Sequence, residues 1–577
     1  MVKYTDTELV DSFQSSTWVT NEDEVSGTRF TRLMDGFRRH EVVIPEGVDL
    51  SKMDEYERNN FILAHQPFRK TLSQRHLTMI SIGGTLGTGL FIGIGGSLTE
   101  GPGALLLGFA IVGLSIFCVI QSAAELSCQY PVSGSFATHV SRFLEPSIGF
   151  TVSNAYALSW LISFPNELTG LAMTMRHWNT SVNPSVWVTI FYVIVIALNL
   201  FAVRGFAEAE FWLSIVKILA IIVFLVIGIV IICGGGPGNE NGYLGAKYWH
   251  DPGSFKKPYF NSLCNTFISA AFTFGGAELV ILTASESRKV ESISRAAKGT
   301  FWRIAIFYIS TVAIIGCLVP YTDERLNGNN SNDVATSPFV LALSGTSAFS
   351  RNIGHFMNAI ILVAVISVAN SSVYAASRVM QSLGACGQLP SIFAYVDKRG
   401  RPLVGILVSA LFGLLAFLVN VSNVTNVFNW LFALCSISSF FTWWCICVSQ
   451  LRFRKALKAQ GLSTDDIAFK SMMGIWSGIL GTILNTILIV GEVYVSVKDG
   501  DAKTFFQNCL SIPLMICAYV IHKFYKRNKQ IYIPAERIDL SLGQSPRDVE
   551  LMKHENTLRK TKIASSPWYY RTYRFWC

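Results

Sequence analysis

Apolar runs of about 20 residues recur along this chain of 577 residues, the length an α-helix needs to cross a hydrocarbon core about 30 Å thick. Twelve such runs can be drawn, over about 77–97, 103–122, 149–173, 185–203, 211–233, 263–284, 304–320, 353–376, 403–420, 427–449, 473–495 and 505–522. Backbone polar groups inside lipid must be satisfied within their own segment, so the runs are read as helices and the fold as an all-α membrane protein of twelve transmembrane helices. Only 15% of residues are charged against 51% hydrophobic, which excludes an ordinary soluble globule. Span 3 contains Pro165 and Glu167, and span 8 has Arg351, His355 and Asn370; both suit helices that face a bundle interior.

Lys and Arg sort into alternate loops. Arg288, Lys289, Arg295, Lys298 and Arg303 follow span 6; Lys398, Arg399 and Arg401 follow span 8; Arg452, Arg454, Lys455 and Lys458 follow span 10. Of the intervening loops, those after spans 1 and 9 carry none and the one after span 3 carries Arg176 alone. By the positive-inside rule the rich loops and both tails are cytoplasmic. The formal net charge of +9 is then a topology signal, and no nucleic-acid partner is expected. Residues 1–76 read as a polar cytoplasmic tail without a cleavable signal segment, 77–522 as the membrane-spanning body, and 523–577 as a second cytoplasmic tail opening on the basic run His522 to Arg527. Asn179 and Asn329 head sequons in expected external loops and are glycosylation candidates. Cys577 is a palmitoylation candidate, with a plain free thiol as the alternative. The twelve cysteines are scattered and mostly within spans, so neither a metal site, a cofactor nor a disulfide framework is expected.

Two spans are interrupted by glycine in matching positions of two halves: the first at Gly83-Gly84-Thr85-Leu86-Gly87-Thr88-Gly89, the sixth at Phe274-Gly275-Gly276-Ala277-Glu278. Each interior glycine costs a helix about 1 kcal/mol against alanine, so the pattern needs a reason. Close helix packing is one. The other is unwound backbone lining a central site, which a pair of broken helices, one per half, marks in secondary transporters. Freed N–H groups at a half-helix start suit a carboxylate, and freed carbonyls near Phe274 suit an ammonium. Glu278, Glu167 and Lys217 are intramembrane charges, each expensive unless paired, neutralised or functional. Groups of this kind can exchange protons, although Lys217 could also snorkel toward the cytoplasmic end of span 5. Phe272 and Phe274 add aromatic faces that either pack or receive a cation.

Ser73-Gln74-Arg75-His76 running into Gly83 to Phe91 resembles the opening of fungal amino-acid permeases of the amino acid–polyamine–organocation superfamily. Glu125 and Tyr130-Pro131, Phe274 to Leu279, Val319-Pro320-Tyr321, Asn370-Ser371, Gly400-Arg401-Pro402, Phe428 to Leu431 and Phe575-Trp576-Cys577 extend the likeness in order. The stretches Gln121 to Gln129, Gly245 to Gly253 and Ser292 to Ile304 resemble the S-methylmethionine and S-adenosylmethionine permeases of yeast within that family. Where most members carry Asn-Pro after span 6, this chain reads Ser285 to Val290 without proline, which makes the broad specificity of general permeases a doubtful guide.

The resemblance implies a plasma-membrane, proton-coupled importer built on an inverted five-helix repeat, 77–233 and 263–449, with 473–522 outside it. It places the substrate α-carboxylate at Thr85, Gly87, Thr88 and Gly89, and the amine at the carbonyls of Phe272, Phe274 and Gly275. It implies side-chain selection at Ser159 and Cys435, and proton or charge coupling at Glu167 and Lys217. A sulfonium donates no hydrogen bonds, so Phe164, Phe272, Phe274, Trp430 and Glu278 are expected as its aromatic and acidic surround, with Gly276 in the same break. Partners expected are an amino-acid substrate, protons, the lipid bilayer, and trafficking and ubiquitination machinery at tail lysines such as Lys3, Lys52 and Lys70. A general or cationic amino-acid permease and a non-transporting amino-acid sensor are the alternatives. An enzyme is not expected, because His76, His139, His177 and His355 are dispersed and no nucleophile–base motif occurs.

Overall fold

The computed structural model describes residues 79–80, 83–130, 136–179, 181–200, 203–236, 242–282, 290–326, 337–343, 348–422, 424–463, 467, 469–498, 502–527, 532–538 and a few positions beyond. The N-terminal tail, Asn329 and Cys577 lie outside them. Among the described residues the chain is made of helices and turns, with no strand. The helices are α1 (Gly89–Leu98), α2 (Pro102–Gln129), α3 (Phe136–Phe143), α4 (Pro146–Arg176), α5 (Pro184–Asn199), α6 (Val203–Ile232), α7 (Tyr259–Phe274) and α8 (Leu279–Leu282). They continue as α9 (Val290–Arg303), α10 (Ser310–Leu318), α11 (Pro338–Leu343), α12 (Ala348–Ala385), α13 (Leu403–Gly413), α14 (Val424–Ala459), α15 (Trp476–Lys498), α16 (Ala502–Cys509) and α17 (Ser511–Tyr525). A wider π-turn, Ile304–Ile309, joins α9 to α10. Among the described residues, seven helical stretches are long and apolar enough to cross a membrane, and three shorter ones are apolar: α1, α5 and α17.

Several helices overrun their apolar cores. α2 ends at Gln129 where the apolar run suggests about 122, and α14 runs from Val424 to Ala459 rather than over 427–449. The extensions persist because their charges are paired. Glu125, which sequence position suggests is interfacial, is wholly buried. It accepts from Arg454 Nε at 2.7 Å and Nη2 at 2.6 Å, from Gln450 Nε2 at 3.2 Å and from the Ser471 N–H at 2.9 Å. That bidentate clamp ties α2 to the end of α14 with its lone pairs filled, the condition under which a buried pair holds. Arg401 similarly pairs with Asp397 and donates to the Leu200 carbonyl at 2.6 Å, tying the turn after α12 to the end of α5. Arg303, counted with the loop cations, is instead buried at the end of α9, electrostatically coupled to Glu278.

α4 is the central strut, packed along α12 and α14, while α7 packs on α2 and α14. Pro165 sits inside α4, and its neighbour Phe164 fills the space against Gly413 and Tyr192. The lipid-facing extreme is α6, where Leu219, Val223, Val226 and Ile229 are exposed. Such exposure is costless only in hydrocarbon. At one end of the bundle Ile538 and Leu540 bury against Tyr130, Phe143 and Phe453, and Ala535 is buried beside them in the chain. Gln460 Nε2 donates to the Ile538 carbonyl at 2.6 Å, and Tyr130 Oη to the Leu540 carbonyl at 3.0 Å. Part of the C-terminal segment is thus docked onto the body. On α3, burial first and Arg142 second push the His139 imidazole down to about 3.

Candidate functional site

The two glycine-rich stretches are both broken and touch each other. Gly84 to Gly87 form a turn before the helix resumes at Thr88, and α7 ends at Phe274 with a turn through Gly275, Gly276 and Ala277 before α8. Gly276 has φ +90°, a region that side chains strain to enter, and a Cβ there would lie 2.7 Å from the Gly84 carbonyl oxygen. Gly89 is pressed just as hard, since its Cβ would lie 2.7 Å from Thr273 Cα. The glycines therefore serve close packing and chain breaking together.

The breaks form two walls of a half-open pocket of about 500 Å³, a volume that includes the solvent at its mouth. The first break gives Gly84, Thr85, Gly87, Thr88 and Gly89; the second gives Phe272, Gly275, Gly276 and Glu278. One stripe of α4 supplies Tyr156, Ser159, Trp160, Ser163 and Glu167, with Val368 from α12 and Cys435 and Ser439 from α14. Glu167 and Glu278 are both buried. Glu167 Oε1 accepts from Thr88 Oγ1 at 2.7 Å, tying α4 to the first break, while Glu167 Oε2 and Glu278 Oε2 have no hydrogen-bond partner among the described residues. Tyr156 and Trp160 meet edge to face with centroids 6.0 Å apart, and Phe272 leans on Phe432 at 4.3 Å. Cys435 Sγ reaches the Ser159 carbonyl at 3.3 Å, so these two positions stand together at the cavity wall. No Lys, Arg or His lines the cavity among the described residues.

Four expected residues stand elsewhere. Phe274 lies behind the second break, with ring centroids 5.8 Å from Phe109 and 4.5 Å from Tyr308, anchoring the break to α2 and the turn after α9. Trp430 lies on α14 but off the cavity lining, because five helical residues turn it about 140° from Cys435. Lys217 stands behind the first break, fully buried, donating to the Gly83 carbonyl at 2.5 Å and to Ser367 Oγ at 2.7 Å. It does not snorkel. Phe164, expected in the aromatic surround, is in the core and not on the cavity wall.

The residues that sequence reasoning missed had a findable signal. Tyr156, Trp160, Ser163 and Glu167 are spaced four, three and four apart, one face of a helix, so Glu167 and Ser159 could have led to the others. Ser439 follows Cys435 by four. Glu210, seven residues before Lys217, is wholly buried and carries no marker that separates it from a helix-end acid. His177 and His355, far apart in sequence, meet with ring centroids 5.3 Å apart at the end of α4. Asn179 sits in an exposed turn whose Oδ1 accepts from the Ser181 N–H at 2.9 Å.

The amino acid permease family matches residues 76–532 of the chain. S-adenosylmethionine permease SAM3 of Saccharomyces cerevisiae is 61% identical over 569 residues, covering 97% of this chain and 97% of that protein. S-methylmethionine permease 1 of the same yeast is 56% identical over 553 residues, covering 95% of each. Among solved structures, the nucleobase-cation-symport-1 family transporter Mhp1, closed with bromovinylhydantoin bound, aligns over 77% of this chain and 98% of its own at 14% identity and a TM-score of 0.43.

Proposed function

Because the chain belongs to the amino acid permease family, we propose that it imports S-methylmethionine or S-adenosylmethionine across the plasma membrane, together with protons. The names of its relatives supply the substrate class. The observation that carries it within the site is a pair of buried carboxylates, Glu167 and Glu278, facing one cavity with Tyr156, Trp160 and Phe272 and no basic side chain.

Such a substrate carries one carboxylate and two cations, the ammonium and the sulfonium. The carboxylate takes the freed N–H groups of Thr85 to Gly89, where the resumed helix points its positive end. The ammonium takes the carbonyls that end α7 and one of the two carboxylates. The sulfonium has no hydrogen to donate, so it gains most from π faces and the remaining carboxylate. Trp160, Tyr156 and Phe272 offer those faces. The two acids match the two cations one to one, while the substrate's own carboxylate is met by backbone N–H groups; the loaded site carries a net charge of −1 with both acids ionised and is neutral with one of them protonated. Cationic amino acids have the same net charge but need donor-accepting groups at the side-chain end.

In this reading the body has twelve spans with an inverted repeat, 77–233 against 263–449, with 473–522 outside it. The tails, 1–76 and 523–577, face the cytoplasm and offer lysines to trafficking and ubiquitination machinery. Protons enter through Glu167 and Lys217, which flank the first break from opposite sides. The test is uptake of labelled S-methylmethionine, S-adenosylmethionine, arginine and leucine in permease-deficient yeast at acidic pH, with and without a protonophore. Saturable sulfonium uptake abolished by the protonophore is expected. Arginine or leucine uptake alone would overturn the substrate, and no uptake by protein verified at the surface would turn the reading toward a sensor.

A further inference from the structure

Resting on the proton-coupled reading above, we propose that Glu210 is the acceptor that takes the proton from Lys217 through the hydroxyl of Ser367 and delivers it toward the cytoplasm. The three groups form a directed chain. Lys217 Nζ donates to Ser367 Oγ at 2.7 Å, and Ser367 Oγ donates to Glu210 Oε1 at 2.5 Å. The direct Lys217–Glu210 separation is 3.8 Å, so the path through the serine is the shorter at each hop. All three side chains are wholly buried. Glu210 is two helical turns before Lys217 on α6, about 10 Å nearer the end of that helix expected at the cytoplasm.

The groups facing Glu210 are Lys217 and Ser214 on its own helix, Ser367 and Ser371 on α12, and the backbone of the first segment at Gly83. Lys217 is the cation among them, and Glu167 is coupled to it from the cavity side. Contact with the first segment is tight: a Cβ on Gly83 would lie 2.1 Å from Glu210 Oε1 and 2.2 Å from Ser214 Oγ. Ser214 also donates to the Met79 carbonyl at 2.9 Å. Glu210, Ser214 and Lys217 therefore grip the piece of chain just before the break.

The transfer is one proton and no electrons. An N–H bond of the Lys217 ammonium breaks as its proton joins Ser367 Oγ; the serine's own hydroxyl proton passes to Glu210 Oε1, forming an O–H bond. Ammonium and carboxylate become amine and carboxylic acid, and the serine ends unchanged. The neutral amine donates to the Gly83 carbonyl more weakly than the ammonium did, because charge assistance roughly doubles a hydrogen bond. The segment before the break is then free to part from α6, opening Glu210 to water, which carries the proton away. Coupling thus follows from one relay: the same transfer that unloads the proton releases the first segment.

The experiment compares two modes in proteoliposomes holding the full chain, with labelled S-adenosylmethionine as probe. Net uptake is driven by an inside-alkaline pH gradient; exchange runs against internal unlabelled substrate without a gradient. Glu210→Gln is expected to cut net uptake about tenfold or more and flatten its pH profile, while exchange, which can cycle with the proton retained, falls far less. Ser367→Ala removes the bridging hydroxyl alone and is expected to shift the same ratio in the same direction, so it carries the test if the glutamine variant does not fold. Equal loss of both modes, or loss of neither, overturns the relay. Wild-type uptake indifferent to the gradient overturns the coupling reading beneath it, and is seen before any variant is made.

Discussion

Gly89→Ala tests whether the glycines of the first segment are packing necessities at the site. The added Cβ would stand 2.7 Å from Thr273 Cα, 2.9 Å from Thr273 Oγ1 and 3.0 Å from Thr273 N. Carbon atoms are comfortable at about 3.5–4.0 Å, so the shortfall is about 1 Å, and two of the three opposing atoms are backbone that cannot rotate aside. α1 and α7 must therefore separate by about that amount beside Phe272 and Gly275. Overpacking of this kind costs about 1–3 kcal/mol, offset by about 1 kcal/mol of better helix propensity, so the fold survives. Function suffers more. Moving the wall that holds the substrate's charged ends by about 1 Å is expected to lower uptake about 10- to 100-fold, the usual penalty for misplacing reacting or bound groups by that distance. Gly96→Ala is the matched control, since nothing lies within 4 Å of its Cβ. Uptake of S-methylmethionine is measured for both at equal surface abundance. Transport by Gly89→Ala within twofold of wild type, or failure of Gly96→Ala as well, would refute the packing argument.

Arg454→Met should be severe, because it strands the wholly buried Glu125 without its bidentate partner. A loss of about 3–5 kcal/mol is expected in thermal unfolding of the detergent-solubilised protein, largely restored when Glu125→Gln is added. Trp160→Leu should raise the KM for sulfonium substrates about 2- to 30-fold, the worth of a cation–π contact of about 0.5–2 kcal/mol, and change neutral amino-acid inhibition less; equal changes in both would deny the ring that role. Burial first, and His355 second, hold the His177 imidazole below its ordinary value of 6.5. The folded state then resists protonation, so its contribution is whole above about pH 6.5 and is lost as pH falls below it. Melting temperature should drop between pH 7.5 and pH 5, and His177→Asn should make the drop shallower; an unchanged slope would assign the acid sensitivity elsewhere.

How much could be read from the sequence divided along a physical line. Lipid-facing helices announce themselves: the most apolar window of Phe206–Ile232 has a mean hydropathy of 3.4, and 28% of it is buried. The helices that build the cavity do the opposite. Neither α4 nor α7 is among the helices apolar enough to pass on composition: the stripe of α4 that faces the site carries Ser159, Ser163 and Glu167, and α7 buries Ser262, Thr266 and Thr273 in contacts with its neighbours. Their apolar signal is diluted by function, yet glycine and intramembrane charge restore legibility, which is why both breaks and both cavity carboxylates were readable. What stayed hidden depends on three-dimensional facing. Phe274 adjoins Gly275 and Trp430 precedes Cys435 by five residues, yet both stand off the cavity, while Trp160 and Tyr156, ordinary in composition, reach it by helical spacing from Glu167. Glu210 shows the limit most clearly. Near a helix start an acid reads as an interfacial group, and only its burial against Gly83, Ser367 and Lys217 separates it from Glu208, two residues earlier and partly exposed. A charge's cost in a membrane is set by what surrounds it, so the residues most expensive to bury, and most in need of a role, are those whose setting sequence alone leaves undefined.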